Sequence, residues 1–133
     1  MSKRLLAVWR SPTWIHLLAL PDFLRAVEIA IEQPYLSGIY NLCDDQPLLL
    51  QNFLDRLALH WGYPKPWRLP RAAFYGAAAL CELFAVLFNT PAPLTRDIVR
   101  MGMTSVVADT SRMKDALLPR LDYPTLSDGL KLL

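Results

Sequence analysis

Glycine is scarce and scattered in this chain, and that absence excludes a good deal. The five glycines are Gly38, Gly62, Gly76, Gly102 and Gly129, and the closest two lie 14 residues apart. A dinucleotide pyrophosphate is held where near-adjacent glycines let the backbone approach it at a helix start. No such loop can be built from these five. Histidine is rarer still, with only His16 and His60. Neither is accompanied by a cluster of Asp or Glu, which argues against a catalytic metal, and each reads as a hydrogen-bonded structural or surface residue. Cys43 and Cys81 lack a CxxC spacing and sit among apolar residues, so buried, reduced thiols are expected, with a disulfide left open.

Charge is thin as well. Asp, Glu, Lys and Arg make up 20% of the chain and the net charge is +2, with basic residues scattered along the sequence. Nucleic acid is therefore not an expected partner. The opening MSKRLLAVWRSPTW is basic, but its apolar run is too short for a secretory signal, so a cytoplasmic address is expected. What the chain has in excess is apolar surface, 53% of residues, against about 45–50% in ordinary soluble domains. Its 133 residues suffice for a single domain (1–133) with a real core. The surplus implies a face that something else covers.

The pattern alternates extended and helical signals. Trp14 to Leu18 reads as extended, and Pro21 opens a helix with Phe23, Val27, Ala30 and Ile31 on one face, stopped by Pro34. Gly38 to Leu42 reads as a strand ending in a solvated turn at Asp44 and Asp45. Leu50, Phe53, Leu54, Leu57, Ala58 and Trp61 form one helical stripe that Gly62 ends. Trp67 to Leu69 can extend. Residues 72–88 are apolar except for Glu82; a buried or interface helix is expected there, with membrane association as the alternative. Thr95 can cap a helix that Gly102 ends, 105–108 reads as a strand, Asp109 or Thr110 can cap the next helix, and Thr125 to Asp128 is a loose capping box. About five helices and three or four short strands follow, an α/β chain, mostly helical, whose strands are too few to close their own edges.

Among charged residues in apolar settings, Arg68, Arg96 and Arg100 stand out, the last two spaced four apart. A guanidinium fork suits a phosphate or carboxylate, and equally an internal salt bridge.

The ordered motifs over residues 14–133 resemble the C-terminal, substrate-binding part of the extended short-chain dehydrogenase/reductases, the NAD-dependent epimerase/dehydratase family. The residues that carry this are Trp14-Ile15-His16, Asp22 to Val27, Gly38, Tyr40, Asn41 and Leu42 with Asp44, Asp45, Phe53 and Leu54. Pro66, Arg68, Leu69 and Pro70, then Asp109 to Arg112, Leu117, Leu118, Tyr123 and Pro124, continue the series. The spacing from His16 to Arg25 is longer than the family's usual form, and Leu49-Leu50 stands where a Ser or Thr cap is common.

The resemblance implies the C-terminal part of an NAD(P)-binding Rossmann-type epimerase fold without its N-terminal Rossmann core. It also implies a family chemistry that uses NAD or NADP and a Tyr-x-x-x-Lys pair. Four residues after Tyr35, Tyr40, Tyr63, Tyr75 and Tyr123 stand Ile39, Asp44, Trp67, Ala79 and Ser127. The chain is thus expected to bind no cofactor, to hold no catalytic residue and to be inactive alone. Its expected role is the recognition portion of an oxidoreductase or epimerase acting on a nucleotide sugar or a similar carbonyl or alcohol. Arg68, Arg96 and Arg100 are its candidate substrate contacts, and a Rossmann half or partner chain its expected companion. Homo-oligomerisation through the surplus apolar surface is a further possibility. The competing reading is a non-catalytic protein-interaction module derived from this fold.

Overall fold

The computed structural model describes residues 6–132. They form a mixed α/β fold, about half helical, with four very short strands. In chain order the elements are β1 (Ala7–Trp9), β2 (Trp14–Ile15), α1 (Leu20–Glu32), β3 (Leu48–Leu49), α2 (Leu50–His60) and β4 (Trp67–Leu69). Then come α3 (Arg71–Phe88), α4 (Arg96–Gly102), α5 (Ser111–Ala116), α6 (Leu126–Gly129) and a 3-10 turn at Leu130–Leu132. β1 pairs with β4 and β2 with β3, giving two two-stranded sheets. The described residues fall into two compact units, 6–13 with 49–105 and 14–48 with 106–132.

In the first unit β1 and β4 run parallel, Val8 opposite Arg68, and Val8 is buried. The helix α2 starts at Leu49 without a side-chain cap. Its second residue instead serves backbone groups outside the helix. The Gln51 amide accepts from Thr13 N–H at 3.4 Å and donates to the carbonyls of Trp9 (3.1 Å) and Ser11 (2.7 Å). One buried side chain thus satisfies three backbone groups that a two-stranded sheet leaves unpaired. Gly62 ends α2 at φ 70°, the left-handed conformation a C-terminal stop requires. Pro70 then starts α3, which Asn89 closes in the same left-handed region.

The helix α3 was expected to be buried or at an interface, and within this chain it is not buried. Of its eighteen residues only Ala78 is buried. Phe74, Tyr75, Cys81, Glu82 and Ala85 are half-covered, and Phe74 meets the Trp9 ring edge-on at 5.6 Å. The opposite side is bare. Thr95 caps α4 as expected, its hydroxyl accepting from Ile98 N–H at 3.2 Å, and Val99 is buried.

The core of the second unit is Ala26, Met113, Leu117, Leu118 and Leu121, with Leu18, Ile29, Leu36, Tyr40 and Leu42 packed against it. Here α1 is turned from its expected orientation: Asp22 and Ala26 face inward, while Phe23, Val27 and Ile31 are exposed. The cause is Asp22, whose carboxylate binds two backbone N–H groups across the unit. Phe23, one residue on, is rotated about 100° around the helix. Segments 38–42 and 105–108 were expected as strands and belong to no ladder. Backbone groups there are taken up singly, Val106 N–H by the Trp14 carbonyl at 2.8 Å and Ala108 N–H by His16 Nδ1 at 3.2 Å.

Candidate functional site

The three candidate arginines all lie in the first unit, on separate tasks. Arg68, on β4, donates to Asp55 at 2.7 Å and to the Gln51 carbonyl at 3.1 Å. This half-buried pair is monodentate: Arg68 Nη1 and Asp55 Oδ1 are buried without a partner among the described residues. Arg96 holds Glu82 with both its backbone N–H and its guanidinium, each at 2.7 Å. These bonds, the backbone one first, keep the Glu82 carboxyl below its ordinary value. Arg100 is exposed, one turn further along α4, and makes no ion pair among the described residues. Of the three it is the one whose guanidinium is available to an incoming anion.

The denser constellation is in the second unit, and its members are residues that carry the family resemblance. Asp22, fully buried, accepts from Asp122 N–H and Tyr123 N–H, both at 2.9 Å. Arg25, one turn along α1, donates to the Asp122 carboxylate and the Arg120 carbonyl. Together they clamp residues 120–123 to α1. Asn41 donates to the Asp109 carbonyl at 3.1 Å. Arg112 donates to the Ile39 carbonyl at 3.1 Å and lies 4.9 Å from the Tyr40 ring centre. Gly38 has φ 108° and packs so tightly that an added Cβ would lie 2.8 Å from Arg112 Nη2. Segment 38–42 is therefore tied to 109–112 by side-chain-to-backbone bonds in both directions rather than by a strand ladder.

Asp44 was expected in a solvated turn and is instead 3% exposed. His16 Nε2 donates to its carbonyl at 2.9 Å and lies 3.5 Å from Oδ1, while Gln46 N–H donates to Oδ1 at 3.2 Å. With Nδ1 accepting from Ala108, the hydrogen of His16 is placed on Nε2. Burial pushes the Asp44 carboxyl above its ordinary value, against the opposing pull of Gln46 N–H and His16. The neighbouring Cys43 thiol is also raised, by burial first and the Asp44 charge second. It stays protonated, the reverse of what a nucleophile needs. Both cysteines are free thiols. Asp45 is exposed and pairs with Lys114 at 2.6 Å.

Among the described residues no group of three or more His, Cys, Asp or Glu could hold a metal. Of the five glycines only Gly38 and Gly62 have positive φ, and they lie 24 residues apart. Among the concavities of the described residues, two are lined mainly by apolar side chains. One, of about 220 Å³ in the first unit, is lined by Leu54, Leu57, Ala58, Trp61 and Tyr63. The other, of about 350 Å³ in the second, lies between Val27 and Ala30 of α1 and Leu36, Tyr40 and Leu42. Gln51 and the buried role of Asp44 were not anticipated from sequence. A lone amide directly after the apolar run Leu48-Leu49-Leu50 was the available signal for the first.

No protein-family model matches the sequence, and no curated protein is similar to it. Two solved structures share the fold. The crystal structure of gox2253 aligns with a TM-score of 0.59 at 19% identity, over 80% of this chain and 32% of that one. A functionally unknown conserved protein from Silicibacter pomeroyi DSS aligns with a TM-score of 0.64 at 22% identity, over 91% of this chain and 36% of that one. This chain thus spans about a third of the length of each, and at such identities the likeness concerns the fold alone.

Proposed function

We propose that this chain is the substrate-recognition portion of an NAD(P)-dependent oxidoreductase or epimerase of the extended short-chain dehydrogenase/reductase type, acting on a nucleotide sugar or related carbonyl or alcohol. The observation that carries the reading is the mutual bonding of its motif residues. Asp22 and Arg25 bind 120–123, Asn41 binds Asp109, and Arg112 binds the 39–40 backbone and ring. Residues scattered over a hundred positions are thus tied in two groups, α1 to 120–123 and 39–41 to 109–112, as members of a shared motif set would be. Gly38, Tyr40 and Leu42 line a concavity with Val27 and Ala30 of α1, beside the exposed apolar face of that helix, on which a cofactor-binding unit would sit. The threefold greater length of both fold neighbours is compatible with such a companion.

In this reading the second unit meets the cofactor-binding companion and the first unit faces substrate. Arg100 supplies the anion contact. Arg96 fixes the start of the same helix through Glu82, while Arg68 is engaged by Asp55. The chain itself moves no proton and holds no cofactor. The test is to read the coding DNA upstream of the Met1 codon and in neighbouring frames, and to titrate the chain with a UDP-sugar. A Gly-rich loop with Tyr-x-x-x-Lys, and sugar-nucleotide binding weakened about tenfold in Arg100→Ala, are expected for loss of one charge-assisted contact. Absence of both the companion and the binding would overturn the proposal. The interaction-module reading would then take its place, favoured by the commitment of Arg68 and Arg96 to internal pairs.

A further inference from the structure

The outward side of α3 has no part in anything described so far. Gly76, Ala77, Leu80, Leu83, Phe84 and Leu87 recur at helical spacing and are all exposed, and Phe88 stacks on Phe84 with ring centres 6.0 Å apart. The residues of 72–88 with polar side-chain atoms, Tyr75, Cys81 and Glu82, are all on the half-covered inner side. The helix is long and apolar enough to cross a membrane. Crossing, however, would strip the Glu82–Arg96 pair and the Trp9–Phe74 contact from its inner side. Lying flat keeps both and buries only the bare stripe.

Charge points the same way. The described residues of the first unit hold seven Lys and Arg against three Asp and Glu, whereas those of the second hold five against nine. The net charge of +2 thus conceals a basic unit and an acidic one, and the bare helix belongs to the basic unit. Arg71 opens α3 and Lys65 precedes β4; both are exposed and form no ion pair among the described residues. Between them Trp67 is 64% exposed. An exposed tryptophan flanked by long cations is the side-chain set that favours a headgroup layer.

We propose that the first unit docks on an anionic lipid surface, with α3 lying in the plane of the interface and Lys65 and Arg71 among the headgroups. This does not depend on the function proposed above, and it concerns a different unit from the one expected to meet a cofactor-binding companion. The test is flotation of the full chain with vesicles of equal parts phosphatidylcholine and phosphatidylserine, beside vesicles of phosphatidylcholine alone. Binding to the anionic vesicles is expected, falling as salt is raised and reversed by alkaline carbonate. Leu83→Glu with Phe84→Glu should abolish it with an unchanged circular dichroism spectrum; Leu80→Ser with Leu87→Ser serves if that pair fails to fold. Lys65→Gln with Arg71→Gln should weaken it roughly 30-fold, two surface cations' worth of attraction. The proposal is overturned by no flotation with the anionic vesicles, by flotation indifferent to the stripe substitutions, or by carbonate resistance, which would mean a spanning helix. It is equally overturned if those substitutions only dissolve a dimer, which would make the occupant a second copy of this chain.

Discussion

At the scale of single residues, buried polar groups decide this structure more than its apolar ones. Asp22 is inside because two consecutive N–H groups need an acceptor and a charged carboxylate offers one oxygen to each. Replacing it with alanine leaves both donors buried and unpaired and removes the anchor of residues 120–123. Asp22→Ala is expected to lower unfolding stability by about 3 kcal/mol, and Asp22→Asn, which keeps one acceptor, by about 2 kcal/mol. Both should appear as a shifted urea midpoint with an unchanged slope. A shift no larger than that of an exposed control such as Glu28→Ala would show that the clamp contributes nothing. None of this was legible in hydrophobic patterning. An aspartate just inside a helix start reads as a favourable dipole partner, which says nothing about which way the helix faces.

Helix ends were the most readable elements because capping is local chemistry. Thr95, Gly62, Pro21 and Pro34 mark boundaries that fall where their backbone preferences put them. The short α4 depends on its cap most, having seven residues and little buried surface apart from Val99. Thr95→Ala is expected to cost about 1 kcal/mol and to raise amide exchange in residues 96–99 before the rest of the unit; unchanged exchange there would refute the role of the cap. Helix faces were less readable. The stripe Phe23, Val27, Ala30 and Ile31 is a correct amphipathic period on α1, yet its apolar side faces outward because Asp22 claims the inside. Segment 38–42 has strand-like composition, but a strand needs a neighbouring strand, and Arg112 and Asn41 bonds take that place.

For the whole molecule, the carboxylates divide into two groups with opposite responses to pH. Glu82, Asp109 and Asp128 are held below their ordinary values, by Arg96 N–H, by the Ser111 hydroxyl and by Lys131 respectively. Their contribution is present above the unfolded carboxyl values of 4.5 and 3.8 and is lost as pH falls through the lower folded ones. Asp44 behaves the other way. Burial raises its folded value above the unfolded 3.8, so its contribution is present below 3.8 and is lost as pH rises through the folded value. Asp44→Asn keeps an acceptor for Gln46 and removes the titration. Relative to wild type it should therefore gain stability on going from acid to neutral pH, measured by urea midpoints across that range. A constant difference between the two proteins would contradict the raised value.

The sequence by itself determined the α/β class, most helix boundaries, the wide spacing of the glycines and the surplus of apolar residues. Each depends on local backbone preference, on composition or on the absence of a residue type, and none needs a distant partner. Tertiary structure alone decided which apolar faces were covered, where Asp44 lay, and that Arg68 and Arg96 paired with Asp55 and Glu82. It alone also sorted basic residues scattered along the chain into one unit and acidic ones into the other. The reason is the same throughout: burial and charge pairing are contests between groups far apart in sequence, settled by which of them the fold brings within reach.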